Sequence, residues 1–313
     1  MSVLPVVAII APGAMGSAVA KRLTTAGLTV LTNLDGRSPA SRARAHDAGM
    51  QDVPLSDIPL KANWVLSILP PSDALSFAQK FRDAYYSHLG NTARPTSTSH
   101  QVAFADCNAV NPQTVKRISH TFVNTPIKFI DAGIIGGPPN DDYDPVIYAS
   151  ADAQDTAVLD AFERLSKYGL KVSPLRGEGA GIGDASALKM SYAGISKGIT
   201  GLCTTMILAA NASSPATAQA LLHELSASQP SILHRITTSV PSMLPKAYRW
   251  VGEMEEISEF VGDGPGKIHE GLARLYERIE KSIKAGEGEG GEDVKVLKKF
   301  AEDAKKVIDG KTK

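Results

Sequence analysis

The 313-residue sequence has no excess of charge of either sign, since 33 lysines and arginines stand against 33 aspartates and glutamates. Without a net positive field nothing draws the chain onto nucleic acid or an anionic membrane, and neither is expected as a partner. Cysteine is scarce. Cys107 and Cys203 are far apart and stand in no Cys-x-x-Cys or Cys/His spacing, which argues against a disulfide framework and a metal site and favours a reducing, cytoplasmic setting. Long apolar runs are also missing. Val3 to Ile10 is apolar but short, has no basic leader and runs into Ala11-Pro12-Gly13. That pattern suits a buried strand better than a signal peptide, and no other stretch approaches the roughly 20 apolar residues of a membrane helix. No internal repeat is visible.

The length exceeds what one core usually serves, so two domains are expected. Up to about residue 175, short β-rich runs alternate with helical patterns, the signature of a doubly wound parallel sheet of Rossmann type. The strand candidates are Val3–Ile10, Leu28–Asn33, Trp64–Leu69, Val102–Asp106, Phe129–Asp131, Val146–Ala149 and Lys171–Ser173. From about Gly181 helical periodicity takes over, with Leu188, Tyr192, Ile195, Ile199, Leu202 and Met206 stepping at three and four residues along one long helix. Further helical patterns near 216–227, 242–261 and 267–283 make residues 181–284 an all-α domain. Gly286 to Gly291 is glycine- and glutamate-rich and reads as a flexible linker. Beyond it Val294, Leu297, Phe300, Ala301, Ala304 and Ile308 mark one face of a last helix, docked on its own domain or on a partner subunit. Residues 285–313 are therefore expected to be separable from the rest.

Gly13, Ala14, Met15 and Gly16 follow the first strand and open the first helix. Glycines there permit a tight turn and close approach to a pyrophosphate, and the helix N-terminus adds free N–H donors. The usual first glycine is Ala11, and Pro12 removes one N–H, so the turn alone is a loose signal. About 20 residues on, where an NAD site places an acid for the ribose hydroxyl, stands Asn33. Arg37, Ser38 and Arg42 follow and offer donors suited to a 2′-phosphate, which favours NADP(H). The alternative is a ribose held by Asp35, with both arginines solvated.

This turn, together with Leu69-Pro-Pro-Ser-Asp73, Asp106-Cys-Asn-Ala-Val-Asn-Pro112, Asp131-Ala-Gly-Ile-Ile-Gly-Gly137 and Gly183-Asp-Ala-Ser-Ala-Leu-Lys189, resembles the β-hydroxyacid dehydrogenase superfamily. That superfamily includes 6-phosphogluconate dehydrogenase and the imine reductases. Tyr248 to Glu256, with His269-Glu-Gly271, looks like the phosphogluconate-dehydrogenase-like C-terminal domain of one branch. The resemblance spans residues 3 to about 283. It implies that Leu69, Pro70, Pro71 and Asn108 line the nicotinamide end of the cofactor, that Gly136 and Gly137 form the substrate loop, and that Lys189 is the catalytic lysine. Two positions depart from the pattern. The serine expected before the two glycines is Ile135, and the asparagine expected four residues after the lysine is Ala193.

Without the resemblance Lys189 is one lysine among many, notable for lying in a stretch from Gly183 to Gly194 with no other basic residue. A lysine that buries its stem and solvates its ammonium is the structural alternative. As a general acid it would donate a proton to the oxygen on which charge develops during hydride transfer. Tyr192 is a second donor or a core aromatic, and Asp184 reads as the helix N-cap. Glu253 and His269 are candidate substrate contacts or structural residues. His88, His100 and His120 show no ligand spacing, and Cys107 reads as a small buried filler. The expected activity is NADPH-linked reduction of a small carbonyl compound, or its reverse, in a homodimer formed through the helical domain. Imine reduction and a catalytically inactive NADP(H)-binding regulator are the alternatives. Ordinary hydroxyacids are expected to be poor substrates, because Ile135 and Ala193 offer no side-chain bond to a carboxylate.

Overall fold

The computed structural model describes residues 4–89, 101–286 and 290–311, the side chains of 88, 89 and 311 excepted. His88, His100 and the middle of the Gly286–Gly291 stretch therefore lie outside what is described. The chain divides into two compact units, Met1–Met190 and Ser191–Lys313.

The first unit alternates strand and helix as β1 (Val7–Ile10), α1 (Ala14–Thr25), β2 (Val30–Thr32), α2 (Pro39–Asp47), β3 (Gln51–Asp52), α3 (Ile58–Lys61), β4 (Trp64–Ser67), α4 (Pro71–Leu89), β5 (Ala103–Asp106), α5 (Pro112–His120), β6 (Lys128–Ile135), β7 (Val146–Ser150), α6 (Thr156–Glu163) and β8 (Lys171–Pro174). The strands form one sheet in the order β3-β2-β1-β4-β5-β6-β7-β8, parallel except where β6 meets β7. Both faces are covered. Val7 and Ile9 enter a core with Leu23, Leu66, Ile130 and Phe162, whereas Ala8 and Ile10 face Phe81, Phe104, Phe122 and Phe129 on the other side. Burial on both faces is why these strands read as continuous apolar runs rather than alternating ones.

Two features of this unit escaped the sequence pattern. β3 is only Gln51–Asp52, exposed and polar, and pairs at the sheet edge with Leu31 and Thr32. β6 runs on to Ile135, four residues past the expected end, because its second half is the antiparallel partner of β7.

α7 (Asp184–Ser213) begins in the first unit and continues into the second. Asp184 does not cap it in the expected way: its carboxylate accepts from the N–H of Gly181 at 2.7 Å. The amides of Gly183 and Ser186 are instead taken by Asp131 of β6, and that of Ala185 by the Ser150 hydroxyl. Among the described residues α7 is also the one helix long and apolar enough to cross a membrane by length and composition, with a hydropathy of 1.3 over its most apolar window. The expectation of no such stretch is corrected to that extent.

The second unit continues with α8 (Pro215–Ser228), α9 (Pro230–Met243), α10 (Ala247–Val261), α11 (Lys267–Ala285) and α12 (Glu292–Lys311). The helix expected over 242–261 starts only at Ala247, after a 3-10 turn at Leu244–Lys246 whose Pro245 has no N–H to donate. The expectation of a separable tail is corrected as well. α12 packs against α8, α9 and α11, with Val294, Leu297, Phe300, Ala301 and Ala304 buried. Arg278 of α11 makes a two-pronged ion pair with Asp293, at 2.7 and 2.8 Å. The N–H of Gly291 returns to the carbonyl of Ser282 at 2.6 Å, so the start of α12 is tied to the end of α11.

Candidate active site

The strand order reverses direction between β1 and β4, and in such sheets ligands bind outside the carboxyl ends of the strands at that switch point. The turn after β1 fits a dinucleotide pyrophosphate. No side chain caps α1 at Gly13, which leaves its first-turn amides, those of Ala14 and Met15 among them, facing the turn, and a Cβ on Gly13 would meet open space. On the opposite side a Cβ on Gly16 would fall 2.1 Å from the carbonyl oxygen of Ala11, so only glycine lets the helix pack this close to its strand. Pro12 is held by an arginine the sequence pattern did not single out: Arg44 of α2 donates Nε–H to its carbonyl at 3.0 Å.

The expected ribose-side donors are committed to different degrees. The Asn33 amide bonds to Asp35 at 2.9 Å and to the carbonyl of Val53 at 3.0 Å. Arg42 is spent on the loop itself, donating to the carbonyls of Leu34 at 2.6 Å and Arg37 at 3.3 Å. Ser38 caps α2 by accepting from the N–H of Ser41. The Arg37 guanidinium has no partner among the described residues, so it is the donor left for a ligand.

Where the sequence leads one to expect the nicotinamide, the structure gathers residues from three segments, 67–71, 106–108 and the first turns of α7. The buried Asn108 carboxamide accepts from the N–H of Leu69 at 2.5 Å and donates to Ser67 at 3.0 Å and to Asp106 at 2.9 Å. Pro70 is exposed and Pro71 opens α4 beside it. The Lys189 ammonium donates to the carbonyls of Asn108 at 3.0 Å and Cys107 at 3.3 Å. Lys189, Asn108 and Leu69 thus belong to one cluster.

Beside that cluster lies a row of buried polar side chains whose alignment no motif announced, although Asp106 and Asp131 each open one. Ser67, Asp106, Asp131 and Ser150 occupy matched positions on β4, β5, β6 and β7, so they stand side by side across the sheet. Asp131 accepts from Gly183 N–H at 2.9 Å, Ser186 N–H at 3.1 Å, the Ser186 hydroxyl at 2.7 Å and the Ser150 hydroxyl at 3.1 Å. Burial pushes its carboxyl above the usual range and these donors pull it back. Asp106 is raised to about 7, chiefly by burial and further by Asp131, against the pull of Asn108 and Lys189. Burial also raises the Cys107 thiol, which keeps it inert.

β6 alternates Asp131, Gly133 and Ile135 on the side facing α7. A Cβ on Gly133 would lie 2.9 Å from the carbonyl of Ala185 and 3.2 Å from the Lys189 Cβ, so the absent side chain is what seats the helix. Ile135 therefore projects toward the Lys189 side, half-buried, and Gly136 and Gly137 continue into an exposed loop.

The remaining candidates lie in the second unit. Tyr192 is 54% exposed and Ala193 is buried. Glu253 is buried and compensated, paired with Lys197 and lying 3.6 Å from Arg249, while the Lys197 ammonium sits 5.3 Å above the Trp250 ring. His269 and Ile257 both border Gly194, the His269 Nδ1 is buried without a partner among the described residues, and burial lowers its pKa.

Residues 6–173 match the NAD binding domain of 6-phosphogluconate dehydrogenase, more than half of the 313, and residues 212–279 match a domain of unknown function, DUF1932. The chain belongs to the 6-phosphogluconate dehydrogenase-like β-hydroxyacid dehydrogenase family. Members of this family are dehydrogenases and reductases that use a nicotinamide cofactor, and the chain is an oxidoreductase of that type. Its fold is similar to MTH1747, a conserved protein of unknown function with structural similarity to 3-hydroxyacid dehydrogenases (25% identity, TM-score 0.61, 88% of this chain and 97% of that one). It is also similar to the Mycobacterium tuberculosis 3-hydroxyisobutyrate dehydrogenase (15%, TM-score 0.63, 95% and 99%) and to an imine reductase from Myxococcus stipitatus (16%, TM-score 0.50, 95% and 99%). No curated protein matches the chain by sequence.

Proposed function

We propose that the protein is an NADPH-dependent reductase of a small, weakly polar carbonyl compound, or catalyses the reverse reaction, with Lys189 as the general acid and base. The observation that carries this reading is the Lys189 ammonium, held by the carbonyls of Asn108 and Cys107 at the carboxyl end of β5. When bound, the cofactor supplies the hydride. The turn at Gly13 to Gly16 would hold its pyrophosphate, Arg37 would take the 2′-phosphate, and Leu69 with Asn108 would border the nicotinamide. Lys189 stabilises negative charge developing on the substrate oxygen and passes it a proton from Nζ.

Substrate class follows from what the site lacks. Ile135 brings an apolar side chain where a hydroxyacid enzyme of the family would place a hydroxyl, and Ala193 replaces a carboxamide. Losing one hydrogen bond to a charged group costs about 1.5–3 kcal/mol, or one to two decades of efficiency. A second reading, imine reduction, is favoured by the same Ile135, since a C=N electrophile arrives protonated and needs no acid anchor. Competition of 3-hydroxyisobutyrate, glycerate and threonate against neutral ketones and cyclic imines tests both. A clear preference for any of the acids would defeat the substrate argument, and Lys189→Met should lower turnover by ~10²-fold or more while NADPH affinity stays within a few-fold. Calorimetry should show NADPH binding tighter than NADH, with Arg37→Ala weakening NADPH more.

The assembly we propose is a homodimer through α7. Within the second unit Tyr192, Ile195, Ile199, Leu202 and Met206 form an exposed stripe at alternating steps of three and four, with Ile195 67% and Leu202 61% exposed. That spacing is the seam of paired helices, and a single self-complementary stripe suits a two-fold partner of the same chain. Ile195→Glu with Leu202→Glu should halve the mass measured by light scattering. The two unpaired cysteines suit a reducing, cytoplasmic setting.

A further inference from the structure

We propose that Asp106 is a positioning residue for Lys189, acting through Asn108. The inference rests on the reading of Lys189 as the proton donor and names what sets its protonation. Asp106 accepts twice from the same residue: from the Asn108 N–H at 3.0 Å and from its carboxamide at 2.9 Å. Those bonds turn the Asn108 amide so that its oxygen meets the Leu69 N–H, and they fix the Cys107–Asn108 peptide, whose carbonyl receives Lys189 at 3.3 Å. One carboxylate thus organises the ends of β4 and β5 and the ammonium above them.

Both bonds from Asn108 are N–H donors, one to each carboxyl oxygen, so they are strongest when Asp106 is ionised. A protonated carboxyl would turn an O–H toward the carboxamide N–H₂ and leave one of them unpaired. Burial brings that ionisation to about pH 7. Among the described residues the titratable groups facing Asp106 are Asp131 on β6, Lys189 on α7 and the adjacent Cys107 thiol. Asp131 is occupied by the start of α7 and Cys107 is neutral, so Lys189 is the cation that responds. An ionised Asp106 keeps Lys189 protonated and docked, whereas a neutral Asp106 loosens the amide and lets the proton go more readily.

Trace acetic anhydride labelling of the whole protein, read peptide by peptide by mass spectrometry, tests this without any substrate. In Asp106→Asn, Lys189 should be labelled about three- to tenfold faster relative to exposed lysines of the same digest, because an opposite charge has been removed from its surroundings. In the wild type alone, the ratio of Lys189 to exposed lysines should fall as pH rises through 7, which keeps the test open if the variant does not fold. An unchanged ratio in the variant, or a flat wild-type ratio between pH 6 and 8, would overturn the proposal. The Lys189→Met turnover measurement separates the two readings. A labelling response beside undiminished Lys189→Met turnover supports the positioning and removes the general-acid role, and the reverse pair overturns the positioning alone.

Discussion

Replacing Asp131 probes the join between the sheet and α7. Its carboxylate takes two backbone N–H groups at the start of α7 and the hydroxyls of Ser186 and Ser150, all buried. In Asp131→Ala the hydroxyls can turn to other acceptors but the Gly183 and Ser186 amides cannot, and each buried unpaired donor costs about 1–3 kcal/mol. The total should be about 2–6 kcal/mol, equivalent to a fall of very roughly 5–20 °C in Tm for a unit of this size. Asp131→Asn keeps an oxygen for the two amides and presents its N–H₂ to Ser186, whose hydroxyl can turn to accept. It should therefore cost only about 1 kcal/mol. The chain has two tryptophans, Trp64 in the first unit and Trp250 in the second. Urea unfolding followed by Trp64 fluorescence in a Trp250→Phe background thus reports the relevant unit. Loss of less than about 1 kcal/mol in Asp131→Ala, or equal damage from Ala and Asn, would refute the claim that these hydrogen bonds hold α7.

Gly133→Ala adds a methyl where 2.9 Å separates it from the carbonyl of Ala185, so α7 must shift. Turnover should drop by about 10-fold or more, with NADPH affinity little changed in calorimetry. Truncation after Ala285 should give a destabilised or aggregating protein, because it uncovers the surfaces that Val294, Leu297 and Phe300 occupy, and Leu297→Ala alone should cost about 2–5 kcal/mol in urea melts. Stability should also depend on pH through Asp106. Burial raises its carboxyl from the ordinary 3.8 to about 7, so the folded state keeps a proton that the unfolded chain has lost. This contribution is full below about pH 4, declines as pH rises toward 7 and is flat above it. Asp106→Asn should lack that slope, and parallel slopes in urea melts between pH 4 and 7 would show that Asp106 is ionised throughout.

The placement of most strands and helices was legible because their signals are local. Parallel strands buried on both faces appear as short apolar runs, and a glycine turn between strand and helix has its own spacing. Lys189, Asn108 and Leu69 were found through motifs, and the structure brings them together. Where local signals were weak the reading failed: the two polar residues of β3 carry no pattern, and the tail looked detachable because a glycine run says nothing about what the next helix packs against. The membership of α12 in the second unit is a matter of long-range packing.

Alternation of strand and helix, the glycine turn after β1 and the apolar stripe on α7 were thus determined by the sequence alone. The buried row of Ser67, Asp106, Asp131 and Ser150 was decided only by tertiary structure. Whole helices separate β4 from β5 and β5 from β6, and a loop separates β6 from β7, so each looks like an ordinary strand-end polar residue until strand register aligns them. Register is set by the packing of both sheet faces, which no local window contains. The same holds for Arg44 beside Pro12 and for Gly133 under α7: their roles are distances between segments, and such distances exist only once the chain has folded.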